Sequence, residues 1–239
     1  MNSRCRTIWF FVWIFIIFFP SASAQQQMAA GDSPLRQISE DEFAIGEVRL
    51  NKTRGTVTFP SVLNMTQGSL EYLLVTTRGK THESLLRTDV EPYQIHLAML
   101  FLGARGDTNI LANTNSLAGD SITIDLAWTA NGRERKARAE DLILNTDKRK
   151  PMTLGPWIYT GSAVVNGRFI AQGEGNLASI IADGGVLINN PRPGRENDEI
   201  WQVNTNTAPS LNTSIKVTLR LESPALKELV PIQSKSALK

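Results

Sequence analysis

Two Asn-Gly dipeptides, Asn131-Gly132 and Asn166-Gly167, each lie between strand-like runs. Asn-Gly suits a type I′ turn, because both central residues there need positive φ, so each pair folds its flanks into a hairpin. This pairs residues 121–129 with 133–139, and 158–165 with 168–172. Short runs rich in Val, Leu, Ile and Phe add strands at 46–50, Thr56–Leu63, 70–77, 177–182, 199–203 and Ser214–Leu221. Such a series predicts an α+β fold, mainly antiparallel β, with sandwich-like sheets. One stretch departs from it. Residues 92–102 carry Pro92 where a first helical residue tolerates it and Gly103 where a C-cap wants it. Apolar residues cover nearly every face of this segment, which predicts one helix near 92–102 buried against a sheet. A second short helix is expected over 139–144.

The amino terminus specifies compartment. Arg4 and Arg6 precede an apolar run from Ile8 to Phe19, then Pro20 and Ser21-Ala22-Ser23-Ala24. A basic start, a short apolar region and Ala at both −3 and −1 predict a cleavable signal peptide over residues 1–24. The run is short for a membrane crossing, which takes about 20 residues. Export to the periplasm or the extracellular space is therefore expected. Cleavage would remove Cys5, the one cysteine, and with it disulfide, thiol and Cys-ligated metal chemistry. It would also take two Arg from the 25 Lys+Arg, leaving 23 against 23 Asp+Glu. A neutral chain gives no electrostatic reason to expect nucleic acid or an anionic membrane as partner. Residues 25–40 read as a polar disordered leader, 41–222 as a single β-rich domain and 223–239 as a flexible tail.

Chemistry concentrates between Gly68 and Thr88. This stretch reads as a hairpin turning at Gly79-Lys80, which places Thr77 opposite His82, Val75 opposite Ser84 and Glu71 opposite Thr88. Alternation then sends His82 and Glu83 to opposite faces and leaves Glu71 roughly 20 Å from His82. The chain has two histidines, His82 and His96, so a His-containing metal site or a Ser–His dyad must use one of them. A metal-dependent or Ser–His hydrolase centred on His82 is the enzymatic alternative. No Gly-x-Ser-x-Gly elbow exposes Ser84, and an ordinary strand-end role for His82 is favoured. His96, amid the apolar helix, reads as a core or interface histidine. Gly173-Glu174-Gly175 and Gly184-Gly185 lack the context of phosphate-cradling loops. Asp120, Asp125, Glu140 and Asp141 lack calcium-loop spacing. Arg133, Arg135, Lys136 and Arg138, followed by Lys148-Arg149-Lys150, read equally as a surface for an anionic polymer or as a charge-protected edge strand, and Trp128, Trp157 and Trp201 as core aromatics.

Several segments resemble the YdjY-type domain. They are Leu70-Glu71-Tyr72-Leu73-Leu74-Val75, Gly79-Lys80-Thr81-His82-Glu83-Ser84-Leu85-Leu86, and Ile95 through Ala98 on to Leu102-Gly103. The resemblance continues at Pro156-Trp157 through Gly161-Ser162, Asn189-Asn190-Pro191, Asp198 to Trp201, and the last strand from Thr213 to Leu221. It spans roughly Glu47 to Glu222 and implies one domain of an exported bacterial protein, without an established biochemical role. The family name is sometimes attached to ferredoxin-type proteins, and a chain that loses Cys5 cannot ligate such a cluster. If the shared core marks a binding site, its residues are Glu71, Lys80, His82, Glu83 and Ser84, polar groups set around a turn. No cofactor and no resident metal is expected. The preferred reading is an exported non-catalytic binding or scaffolding domain, its partner an envelope protein or small ligand.

Overall fold

The computed structural model describes residues 35–222. The expected signal peptide, most of the leader and the tail lie outside the described residues. The end of the expected leader carries a short strand, β1 (Arg36–Gln37), paired with β2 (Glu42–Ile45). The chain continues through β3 (Val48–Asn51), β4 (Thr56–Leu63), β5 (Tyr72–Thr76) and β6 (Ser84–Thr88) to α1 (Pro92–Phe101). Next come β7 (Asp120–Ala130), β8 (Arg133–Arg138), β9 (Ile143–Asn145), β10 (Lys150–Pro151) and β11 (Trp157–Tyr159). After β12 (Val164–Val165), β13 (Arg168–Phe169) and α2 (Ile170–Glu174), the strands are β14 (Asn176–Ser179), β15 (Ile188–Asn189), β16 (Trp201–Val203) and β17 (Ser214–Leu221).

Both Asn-Gly turns form as the residues demand. Asn131 and Gly132 have φ of 54° and 70°, and Asn166 and Gly167 of 50° and 75°. The first closes the β7–β8 hairpin. The second closes only the two-residue pair β12–β13, because Gly161 and Ser162 (φ 76° and 61°) break the chain after Tyr159. Residues 157–159 instead join the main sheet as β11, between β7 and β15. The expected helix over 139–144 is a 3₁₀ turn, Ala139–Leu142.

The sandwich expectation is overturned. One sheet runs β4-β17-β7-β11-β15-β14-β5-β6 and returns to β4 through Val62↔Arg87 and Leu63↔Leu86, closing an eight-stranded barrel. Closure removes sheet edges that a sandwich would leave open. Burial alternates along β17, so Ile215, Val217, Leu219 and Leu221 face inward while Ser214, Lys216, Thr218 and Arg220 face out. Val57, Phe59 and Leu63 of β4, Ile122, Ile124 and Leu126 of β7, and Trp157 and Tyr159 of β11 join them in one buried cluster. Eight strands give an interior that side chains just fill.

The β1–β3 meander extends from one end of β4, and β8 extends from β7. α1 packs against β3, β4 and α2. It is not buried all round: Pro92, Ile95, Ala98 and Met99 face the core, while Tyr93, Leu100 and Phe101 are exposed. His96 reaches the barrel, where its Nδ1 lies 2.7 Å from the Tyr159 hydroxyl and its ring 4.9 Å from that of Phe169. Burial lowers the His96 pKa, which favours the neutral ring.

Candidate functional site

β5 and β6 are parallel, with Tyr72↔Ser84 and Leu74↔Leu86 in register, so the expected hairpin at Gly79-Lys80 is corrected. After β5 the chain turns back along the strand and re-enters through a 3₁₀ turn, Thr81–Glu83. Two distant groups hold this tight return. The Asn64 amide donates to the carbonyls of Thr81 and Ser84 at 2.6 and 2.8 Å. Asn176 Oδ1 accepts from the Lys80 backbone N–H at 3.1 Å. Gly79 crosses so close to β14 that a Cβ there would sit 2.7 Å from the Gly175 carbonyl oxygen, which explains the glycine by proximity and not by a type II′ turn.

The return brings Glu71 to Glu83, against the expected separation. The Glu71 backbone N–H donates to the Glu83 carbonyl at 3.0 Å. Lys80 Nζ lies 3.4 Å from Glu71 Oε2 and 3.2 Å from Glu83 Oε1, and sits 5.1 Å from the centre of the Tyr72 ring. His82 Nε2 stands 3.6 Å from Glu83 Oε2, on a side chain that is 78% exposed. His82 and Glu83 therefore meet, which the strand reading excluded. Burial and the neighbouring Glu83 carboxylate raise the Glu71 pKa, with Lys80 opposing them. Burial works against the Lys80 ammonium, but the Tyr72 hydroxyl and Glu83 more than offset it, so its pKa is raised. The Tyr72 pKa is raised by burial and by Asp183, which accepts its hydroxyl at 3.0 Å. Ser84 is fully buried, and its hydroxyl donates to the Lys80 carbonyl at 2.6 Å. A hydroxyl so placed reaches no substrate, and it closes the turn. Four of the five expected residues thus converge, and their charges are largely spent on each other. Among the described residues, no three His, Cys, Asp or Glu side chains gather as metal ligands.

A concave surface lies elsewhere, on the outer face of β3, β4, β17, β7 and β8. Two adjoining depressions, of about 660 and 730 Å³, share Thr58, Ala127 and Lys216. Register explains the meeting: Lys216 of β17 pairs with Pro60 of β4 on one side and Ala127 of β7 on the other. The first depression is lined by Pro60, Val62, Ala127 and Trp128, with Glu47, Asp89 and Glu134 among its charged groups, and the second by Arg54, Thr218 and Arg220 among others. Trp128 is thus only part of the core, whereas Trp157 and Trp201 are buried as expected. Arg138 and Arg220 face Asp125 at 3.6 and 4.0 Å, and Lys136 faces Glu134 at 3.0 Å. Lys216, exposed at the junction, has no carboxylate partner among the described residues.

A family model described as the YdjY domain matches residues 48–220. The chain belongs to the YdjY domain family. The match runs from the start of β3 to the penultimate residue of β17, so it takes in all eight barrel strands but for Leu221, together with the Lys80 cluster and the trough. No curated protein and no solved structure matches the chain.

Proposed function

We propose that this YdjY domain is an exported, non-catalytic binding domain of the periplasm or cell envelope, with the outer trough as its binding surface. The occupant it fits is an amphiphilic anion, with an apolar body along Pro60, Val62, Ala127 and Trp128 and an acidic head on Lys216. The observation that carries this reading is the unpaired Lys216 ammonium, set where an apolar depression meets a cationic one. Concave, mostly apolar surfaces with a few placed polar groups are the usual form of ligand sites. Residues 1–24 support export through their signal-peptide pattern. The hydrolase alternative has less support, because Ser84 is buried and bonded to the Lys80 carbonyl.

Decanoate, decyltrimethylammonium and decanol form a suitable probe set, read by tryptophan fluorescence and by amide shifts. Decanoate is expected to bind, to weaken at least tenfold in Lys216→Glu, and to lose its fluorescence response in Trp128→Phe. Equal binding of all three probes, or shifts that map away from β4, β17 and β7, would overturn the proposal.

A further inference from the structure

The loop from Pro191 to Ile200 carries a buried cation that the barrel and the Lys80 cluster do not use. Arg195 is 9% exposed, and its backbone carbonyl accepts from the Ala182 N–H at 2.8 Å. Its Nη1 donates to the Thr114 carbonyl at 2.6 Å, which ties it to the loop between α1 and β7. Its Nε and Nη2 are buried and have no acceptor among the described residues. The adjacent carboxylate does not supply one: both Glu196 oxygens take the Gly194 N–H, at 3.2 Å. Burial lowers the Arg195 pKa, with Glu196 partly opposing it.

Nε–H and one Nη2–H of a guanidinium project in parallel from a single edge, the fork that receives two oxygens of a carboxylate or phosphate. Groups buried this deeply are nearly always satisfied, and a buried charge is ordinarily paired. A neutral acceptor would meet the two N–H groups and leave the charge with only the partial compensation of Glu196. An oxyanion does both.

We infer that Arg195 is the cation of a buried oxyanion site beneath the loop between α1 and β7, one that takes a small carboxylate or phosphate through the Nε/Nη2 edge. The site is separate from the trough, and its test is independent of it. Ile110 of the same loop is buried, and its carbonyl lies against Gly184.

The test is thermal unfolding of the purified protein with sodium phosphate, sodium acetate or sodium chloride at matched ionic strength. An anion that binds only the folded state raises Tm with the logarithm of its concentration. Phosphate, acetate or both are expected to raise Tm above the chloride control, and which one does so identifies the source of the oxyanion. Arg195→Lys keeps the charge but lacks the two-donor edge, so its Tm is expected to follow chloride in all three salts. The Arg195 Nε–H resonance of the unaltered protein provides a reading that needs no variant, and it is expected to shift with the same anion. No anion-specific change in either reading would overturn the inference. So would an equal response from Arg195→Lys, since the anion would then bind elsewhere.

Discussion

Glu140 gives the sharpest test of the packing around the barrel. Its side chain is fully buried, and Oε1 accepts from Arg192 Nη2 at 2.7 Å and from Arg138 Nη2 at 3.1 Å. Arg192 is itself only 10% exposed in its side chain, donates to the carbonyls of Thr153 and Gly155, and lies 5.3 Å from the centre of the Trp157 ring. Glu140→Gln keeps the shape and one acceptor oxygen but leaves Arg192 without its counter-charge and Arg138 with Asp125 alone. Removing one partner of a buried pair costs about 3–5 kcal/mol. Water screens Arg138, whose side chain is 28% exposed, and the retained oxygen still accepts a hydrogen bond. The loss should therefore fall at the lower end, about 3 kcal/mol. Glu140 Oε2 has no partner among the described residues, so the ion cluster is imperfectly satisfied. It follows that Glu140→Leu with Arg192→Met should recover most of what either single change loses, a coupling of at least about 2 kcal/mol. Urea unfolding at pH 7, followed by tryptophan fluorescence, measures the unaltered protein, Glu140→Gln, the two single changes and the double variant, and an unchanged m-value secures the comparison. A Glu140→Gln loss under about 1 kcal/mol, against the loss expected for a broken buried pair, would refute the reasoning. Single losses that simply add would refute it equally.

Two further predictions concern the candidate site and the approach of Gly119 to β11. Glu71 has a folded pKa raised above its ordinary value, so its contribution to stability is fully present below that ordinary value and is lost as pH rises through the folded one. Glu71→Gln should thus unfold at a higher temperature than the unaltered protein at pH 7 and at the same temperature near pH 4; a lower Tm at pH 7 would show that the pair with Lys80 outweighs burial. Gly119 meets the β11 strand so closely that a Cβ would lie 1.8 Å from the Tyr159 carbonyl oxygen. Gly119→Ala should cost about 3 kcal/mol in the same urea assay, as forced overpacking does, and a change within the error of the measurement would exclude that approach.

What the residues disclosed in advance depended on the range of the force involved. Asn131-Gly132 fixed a hairpin because positive φ is a local requirement, and Pro92 and Gly103 framed a helix for the same reason. Ser214–Leu221 was readable from end to end because one of its faces is core and the other solvent. Barrel closure rests on two residue pairs between β4 and β6, far apart in sequence, and no periodicity records them. The parallel pairing of β5 and β6 was hidden for a further reason. Parallel neighbours ordinarily need a connection of about a dozen residues or more, and here Thr77 to Glu83 suffices, which makes a hairpin the natural expectation. That economy is possible because Asn64 and Asn176 supply the turn's missing partners and Gly79 lets β14 approach. The same return decides what the polar residues can do. It gathers Glu71, Lys80 and Glu83 within ion-pair distance and buries Ser84, so a stretch that looks reactive in sequence becomes a clamp on a tight crossover. The trough follows the opposite logic. Pro60, Ala127 and Lys216 form no motif and come from three strands, yet register places them side by side with one charge unanswered. Binding is therefore best sought where strand pairing assembles unrelated residues on the outer wall, since the conspicuous polar run is already satisfied by its own neighbours.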